Sequence, residues 1–245
     1  MKNKIQLSRN DMIFVVFVIF AAGFALGTAI APRQHVYAGQ ISQERSVEMV
    51  LPAVDSDGNG VIAKLYTVVK PGSGKILLDT SDVLNYPDTQ VSGRTAAHAA
   101  AEFADIDLST VDVEYTIKVN ASIVEGPSAG AAMAISAILA MKNMTSQVIA
   151  ITGTISSDGS IGRVGAVTEK AQAVKDYGIK TLLIPEGQLT SENTKRVRTC
   201  SFIGSVDVCS VVYRSETADL AKNLNISVIE VSNIAEAFSY FNNTT

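Results

Sequence analysis

This chain of 245 residues is poor in the side chains from which most metal and nucleic-acid sites are made. It has two cysteines and two histidines. Cys200 and Cys209 cannot complete a metal site alone, and His35 and His98 lie far from them in the sequence, so no metal is expected. Lys and Arg form no readable stripe and the formal net charge is -4, so the footprint of a nucleic-acid-binding face is missing. There is no internal repeat and no low-complexity tract. A complete phosphate-binding loop is lacking too. Pro71-Gly-Ser-Gly-Lys75 looks like the end of one, but Val69 stands where a glycine is required and Ile76 where a serine or threonine is required. The acidic turn containing Asp55, Asp57 and Asn59 lacks the terminal glutamate of a calcium loop. No cofactor is expected from what remains.

One long stretch lacks charge altogether. Residues 12–31 read MIFVVFVIFAAGFALGTAIA, which as a helix would be about 30 Å long and match a bilayer's hydrocarbon core. Lys2, Lys4 and Arg9 precede it, and basic residues favour the cytoplasmic side. The expectation is a single-pass membrane protein with its main domain outside the cytoplasm. Two rivals stay open: a cleaved signal peptide ending at Ala29-Ile30-Ala31, which Pro32 suits poorly, and a buried helix. The organisation expected is a basic leader over 1–11, a transmembrane helix or signal anchor over 12–31, a linker over 32–44 and a folded domain over 45–245, with 186–218 as an insert.

Within the domain, hydrophobic periodicity predicts strands over 46–51, 60–69, 75–79, 111–119, 147–152, 181–185 and 225–231, and helices over 91–103, 129–141, 167–177 and 233–241. The helix over 129–141 is apolar nearly all round, which predicts burial. Strands and helices alternate in the second half, so the fold class is α+β or α/β with sheet and helix layers. Cys200 and Cys209 flank Gly204-Ser205 in alternating sequence, which reads as a hairpin. Outside the cytoplasm a disulfide across it is chemically allowed; two reduced thiols are the alternative.

The stretch with most chemical content is Glu125-Gly-Pro-Ser-Ala-Gly130. It sets Ser128 in a tight turn directly before an apolar helix. Gly126 and Gly130 keep the turn uncrowded and Pro127 stiffens it. The backbone N–H groups at a helix start are unpaired, so those around Ser128 and Ala129 suit a developing oxyanion. A serine hydroxyl is a poor nucleophile until a base takes its proton. Lys170 lies in a second helix whose neighbours include Ala171, Ala173 and Val174. Burial against an apolar helix disfavours the ammonium form, and a drop of about 3 pH units reflects about 4 kcal/mol. By spacing alone, the leading readings are Ser128 as part of a turn and helix cap and Lys170 as a surface lysine.

At these residues the sequence resembles the proteolytic domain of Lon proteases, in a form without the ATPase. That family carries Gly-Asp-Gly-Pro-Ser-Ala-Gly around its serine, where this chain has Val124-Glu-Gly-Pro-Ser-Ala-Gly130. Thr152-Gly153 resembles the family's strand end. Gly159-Ser-Ile-Gly-Arg-Val-Gly-Ala-Val-Thr-Glu-Lys170 resembles its glycine-rich turn and lysine helix, and Gly178-Ile-Lys-Thr-Leu-Leu-Ile-Pro185 the segment after it. The chain departs from the pattern at Gly162, where the family has proline, at Ala166, where it has glycine, and in a longer stretch after Pro185.

The resemblance implies a serine endopeptidase with Ser128 as nucleophile and Lys170 as general base. Thr152 would bond the lysine, and Glu125 would stand beside the site. It implies an α+β Lon-type domain and a homo-oligomer, as a six-membered ring, acting on protein or peptide substrates. Archaeal members are membrane-anchored with catalytic parts facing the cytoplasm, opposite to what the basic leader suggests. A separate ATPase partner is not implied by this chain, so short or unfolded substrates are expected. Two other readings stay open: a non-catalytic membrane-anchored binding or assembly protein on the same fold, and a small-molecule kinase, whose acidic base and phosphate contacts are not found.

Overall fold

A computed structural model describes residues 9–30, 37–79, 87–119, 126–203, 206–219 and 224–242. Lys2, Lys4, Glu125 and linker residues 32–36 lie outside these. The chain divides into two units, Met1–Tyr37 and Ala38–Thr245.

The first unit contains helix α1, Arg9–Ile30. Its side chains are described at Arg9, Asn10 and Met12–Ala21, and Met12 to Phe20 are exposed. Among the described residues no helix is long and apolar enough to cross a membrane. The expected transmembrane anchor, and with it the single-pass, extracytoplasmic placement, is corrected on that ground.

The second unit is a mixed α+β fold. β1 (Arg45–Val54) and β2 (Gly60–Pro71) form an antiparallel hairpin. Asp55 makes its turn: Oδ1 accepts the N–H groups of Asp57 and Asn59 at 3.0 and 2.8 Å. This local role accounts for the acidic cluster without a cation. β2 also pairs antiparallel with β4 (Val111–Lys118), and β4 pairs parallel with β3 (Ile76–Asp79). Buried and half-buried residues alternate along β2 and β4, so one face of this sheet meets the core.

Helix α2 (Pro87–Ala104) buries an alanine-rich face against α3 (Gly130–Met141). All twelve residues of α3 are buried, as its all-round apolarity predicts. Its one hydroxyl is matched: Ser136 Oγ lies 2.6 Å from Thr67 Oγ1 on β2 and donates to the Met133 carbonyl. A second, wholly parallel sheet has the order β11-β8-β5, with β5 at Ala150–Ile151, β8 at Thr181–Pro185 and β11 at Ser227–Val231. β5 is shorter than the 147–152 expected, because β8 pairs with it at only two positions. The small hairpin of β6 (Thr154–Ile155) and β7 (Ile161–Gly162) follows. Helix α4 (Val167–Asp176) packs on β1, β2 and β8. Gly178, at φ +93°, ends the turn after it, a conformation that favours glycine. The closing helix α5 covers Ile234–Asn242.

The cysteine hairpin is much longer than its turn signal suggested. β9 (Thr190–Ile203) and β10 (Val206–Asp219) pair antiparallel along their whole length, as a two-stranded ribbon of their own. Cys200 and Cys209 face each other in the register.

Candidate active site

Three segments meet around the Thr152 hydroxyl. Gly126, at φ +93°, turns the chain into a 3-10 turn, Pro127–Ala129, that runs directly into α3. Ser128 sits half-buried in this turn, Pro127 is exposed, and Ala129 and Gly130 are buried. The Ser128 carbonyl accepts the Gly153 N–H at 3.0 Å, and the Gly153 carbonyl accepts the Ala131 N–H at 2.9 Å. These two bonds fasten the serine turn to the end of β5. Close packing completes the joint. A Cβ on Gly130 would lie 2.7 Å from Ile155 Cγ2, and one on Gly153 would lie 2.5 Å from Ile161 Cγ2. Neither position has room for a side chain.

Thr152, fully buried, lies at that strand end. Its Oγ1 donates to the Ser128 carbonyl at 3.4 Å and accepts from Lys170 Nζ at 3.2 Å. One threonine hydroxyl therefore links the serine turn to the lysine. Lys170 is 3 % exposed, inside α4 between Val167, Ala171 and Val174, which are also buried. No carboxylate forms an ion pair with it among the described residues. Burial, unopposed, pushes its ammonium down to about 8 from the ordinary lysine value of 10.5. An amine with that value is part neutral near pH 8 and can accept a proton.

The structure thus brings Ser128, Thr152 and Lys170 together from three separate segments. Glu125 lies outside the described residues. Among the described residues no group of three or more His, Cys, Asp or Glu side chains is placed to hold a metal.

Residues 35–199 match the Lon protease C-terminal proteolytic domain. The chain belongs to the Lon protease family. Its relatives include the archaeal Lon protease of Methanocaldococcus jannaschii, 35 % identical over 86 residues, covering 35 % of this chain and 13 % of that protein. The Lon protease of Methanosphaera stadtmanae is 28 % identical over 185 residues, covering 71 % of this chain and 22 % of its own. That of Xanthomonas oryzae pv. oryzae is 28 % identical over 152 residues, covering 60 % and 18 %. The matched part is thus less than a quarter of each of these relatives.

Two residues that hold the lysine helix of this Lon-type domain escape sequence reasoning. Gly60, read only as the start of a strand after a turn, passes so close to α4 that a Cβ there would lie 1.9 Å from the Glu169 carbonyl oxygen. Gln188, in the stretch read only as an insert, is buried, and its amide exchanges two hydrogen bonds with the backbone of Val164. A glycine at a strand start hints at close approach; for Gln188 no local pattern gives the signal.

Proposed function

We propose that the chain is a Lon-type serine endopeptidase that works through a Ser128–Lys170 dyad. The observation that carries this reading is the buried Lys170, which pairs with no carboxylate among the described residues and is joined to the serine turn by a single threonine hydroxyl. The neutral amine of Lys170 takes the Ser128 proton as Oγ attacks the peptide carbonyl. The N–H groups of Ser128 and Ala129, at the start of the turn into α3, receive the oxyanion. Lys170 then returns the proton to the leaving amine, and water, giving up a proton to the same lysine, clears the acyl-enzyme. Thr152 holds the amine toward the serine turn throughout. Glu125 is assigned a place beside the site through the signature it shares with the family.

The domain proposed to carry this chemistry is 45–245, and its substrates are short or unfolded polypeptides. No step of this route uses a nucleotide, so peptide cleavage by this chain is expected without ATP. Assembly as a homo-oligomeric ring is proposed from family membership.

Ser128→Ala should abolish hydrolysis of a fluorogenic peptide while leaving the thermal unfolding midpoint near wild type. Lys170→Arg should be equally inactive, because a guanidinium stays charged. A fluorophosphonate or peptidyl-boronate should modify Ser128 in the wild type and nothing in Ser128→Ala. Wild-type turnover by Ser128→Ala would exclude this serine as the nucleophile. Since the base must be neutral, activity should rise with pH through about 8 and fall away below it.

A further inference from the structure

We propose that Gln188 is a positioning residue for Lys170, acting through the backbone of Val164 at the entry to α4. The inference rests on the dyad reading above and extends it to a residue just past the end of β8.

Gln188 is 8 % exposed. Its Oε1 accepts the Val164 N–H at 2.9 Å, and its Nε2 donates to the Val164 carbonyl at 2.7 Å. A primary amide offers an acceptor and a donor in one plane, so it bonds a backbone residue as a neighbouring strand would. Beside it Arg163 Nη1 donates to the Gly187 carbonyl at 2.9 Å. Residues 163–164 and 187–188 are therefore tied by three hydrogen bonds.

The tie matters because the N-cap of α4 supplies no side-chain cap. That residue is Ala166, and it sits at φ +54°, in the left-handed region that an alanine enters at a penalty. A conformation of this kind persists only when its surroundings enforce it. The Ala166 carbonyl accepts the Lys170 N–H at 3.0 Å. From Gln188 the route to the lysine is one amide clamp, one left-handed residue and one helical turn. Gly60 fixes the flank of α4 by close approach to Glu169, and Gln188 fixes its entry. Without the clamp, the first turn of α4 can shift, drawing the amine off the Thr152 hydroxyl and toward water.

The experiment uses the full chain with Gln188→Ala, Gln188→Glu and, as control, Gln172→Ala. Gln172 lies on the exposed side of α4, bonded to Asp176. Two quantities are followed against pH: trace acetylation of the Lys170 amine, read by peptide mass, and kcat/KM on a fluorogenic peptide. In Gln188→Ala both midpoints should move up by about one pH unit, toward the ordinary lysine value. Its kcat should fall about tenfold with KM near wild type. Gln188→Glu, which keeps the acceptor for Val164 N–H and loses the donor, should fall between, and Gln172→Ala should match wild type. If the Gln188 variants melt earlier yet leave the Lys170 acetylation midpoint at the wild-type pH, Gln188 is structural only and the inference is wrong. Acetylation does not require turnover. A retained activity in Ser128→Ala would therefore overturn the dyad while the effect of Gln188 on Lys170 is still read.

Discussion

Lys170 combines two demands that pull against each other. The reaction proposed needs a neutral amine, and neutrality comes from withholding water and counter-charge, which destabilises the fold whenever the amine is protonated. Below pH 8 the side chain is charged in both folded and unfolded chains, and the folded one bears the whole penalty, about 3 kcal/mol for a fall from 10.5 to about 8. Between these values the unfolded chain binds a proton that the folded chain does not, so stability rises with pH across that window. Lys170→Met should be inactive yet more stable than wild type at pH 7, by about 1–3 kcal/mol, with the advantage fading above pH 10. Urea melts at the two pH values check this; a variant no more stable at pH 7 would mean that the native ammonium is solvated. The family resemblance pointed to Ser128, Thr152 and Lys170, because each sits in a short stretch that matches one of the family's motifs. It did not point to Gln188 and Gly60. Their partners lie far along the chain, and a hydrogen bond or close approach of that kind leaves no periodic trace nearby.

Among the elements, the β9–β10 ribbon departs most from expectation. The sequence showed a hairpin, and β9 and β10 do pair antiparallel. The length was hidden because its outer stretches, such as Thr190-Ser-Glu-Asn-Thr194, are polar on both faces and carry no alternating signal. Two residues separate the facing pair Ile203 and Val206, which makes that pair the hydrogen-bonded one nearest the turn. Alternation along the ladder then makes Cys200 and Cys209 a non-hydrogen-bonded pair, where Cα atoms approach to about 4.5 Å, within disulfide range. Incubated with glutathione disulfide, the two thiols should lose two hydrogens to it, forming one intramolecular bridge and two molecules of glutathione. Neither cysteine should then react with maleimide until a reductant is added. Ready labelling of both would show that they stay reduced. Closing a loop of this size stabilises it by about 2–3 kcal/mol, a useful amount for a two-stranded ribbon that is marginal by itself.

At the scale of the whole domain, two sheets and the buried α3 hold the serine turn, the end of β5 and α4 in one place. The alternation of strands and helices announced this α+β architecture, whereas the apolar run near the start of the chain misled, since among the described residues no helix is long and apolar enough to cross a membrane. A site assembled from rigid elements, with no step that uses a nucleotide, should cut a disordered polypeptide without ATP and leave a stably folded domain of similar length intact. Gel analysis of both substrates, with and without ATP, tests it; strict dependence on ATP for the disordered substrate would refute it. The ribbon also bears on how the chain reaches its native state. β8 and β11 pair in parallel across roughly 45 intervening residues, a closure that is slow in a flexible chain. Once β9 and β10 have zipped, the effective loop shrinks to under roughly 20 residues, which lowers the entropy of closure by about 0.9 kcal/mol. The long hairpin is thus a shortcut in the folding pathway, and the order of events it favours is ribbon first, parallel sheet second.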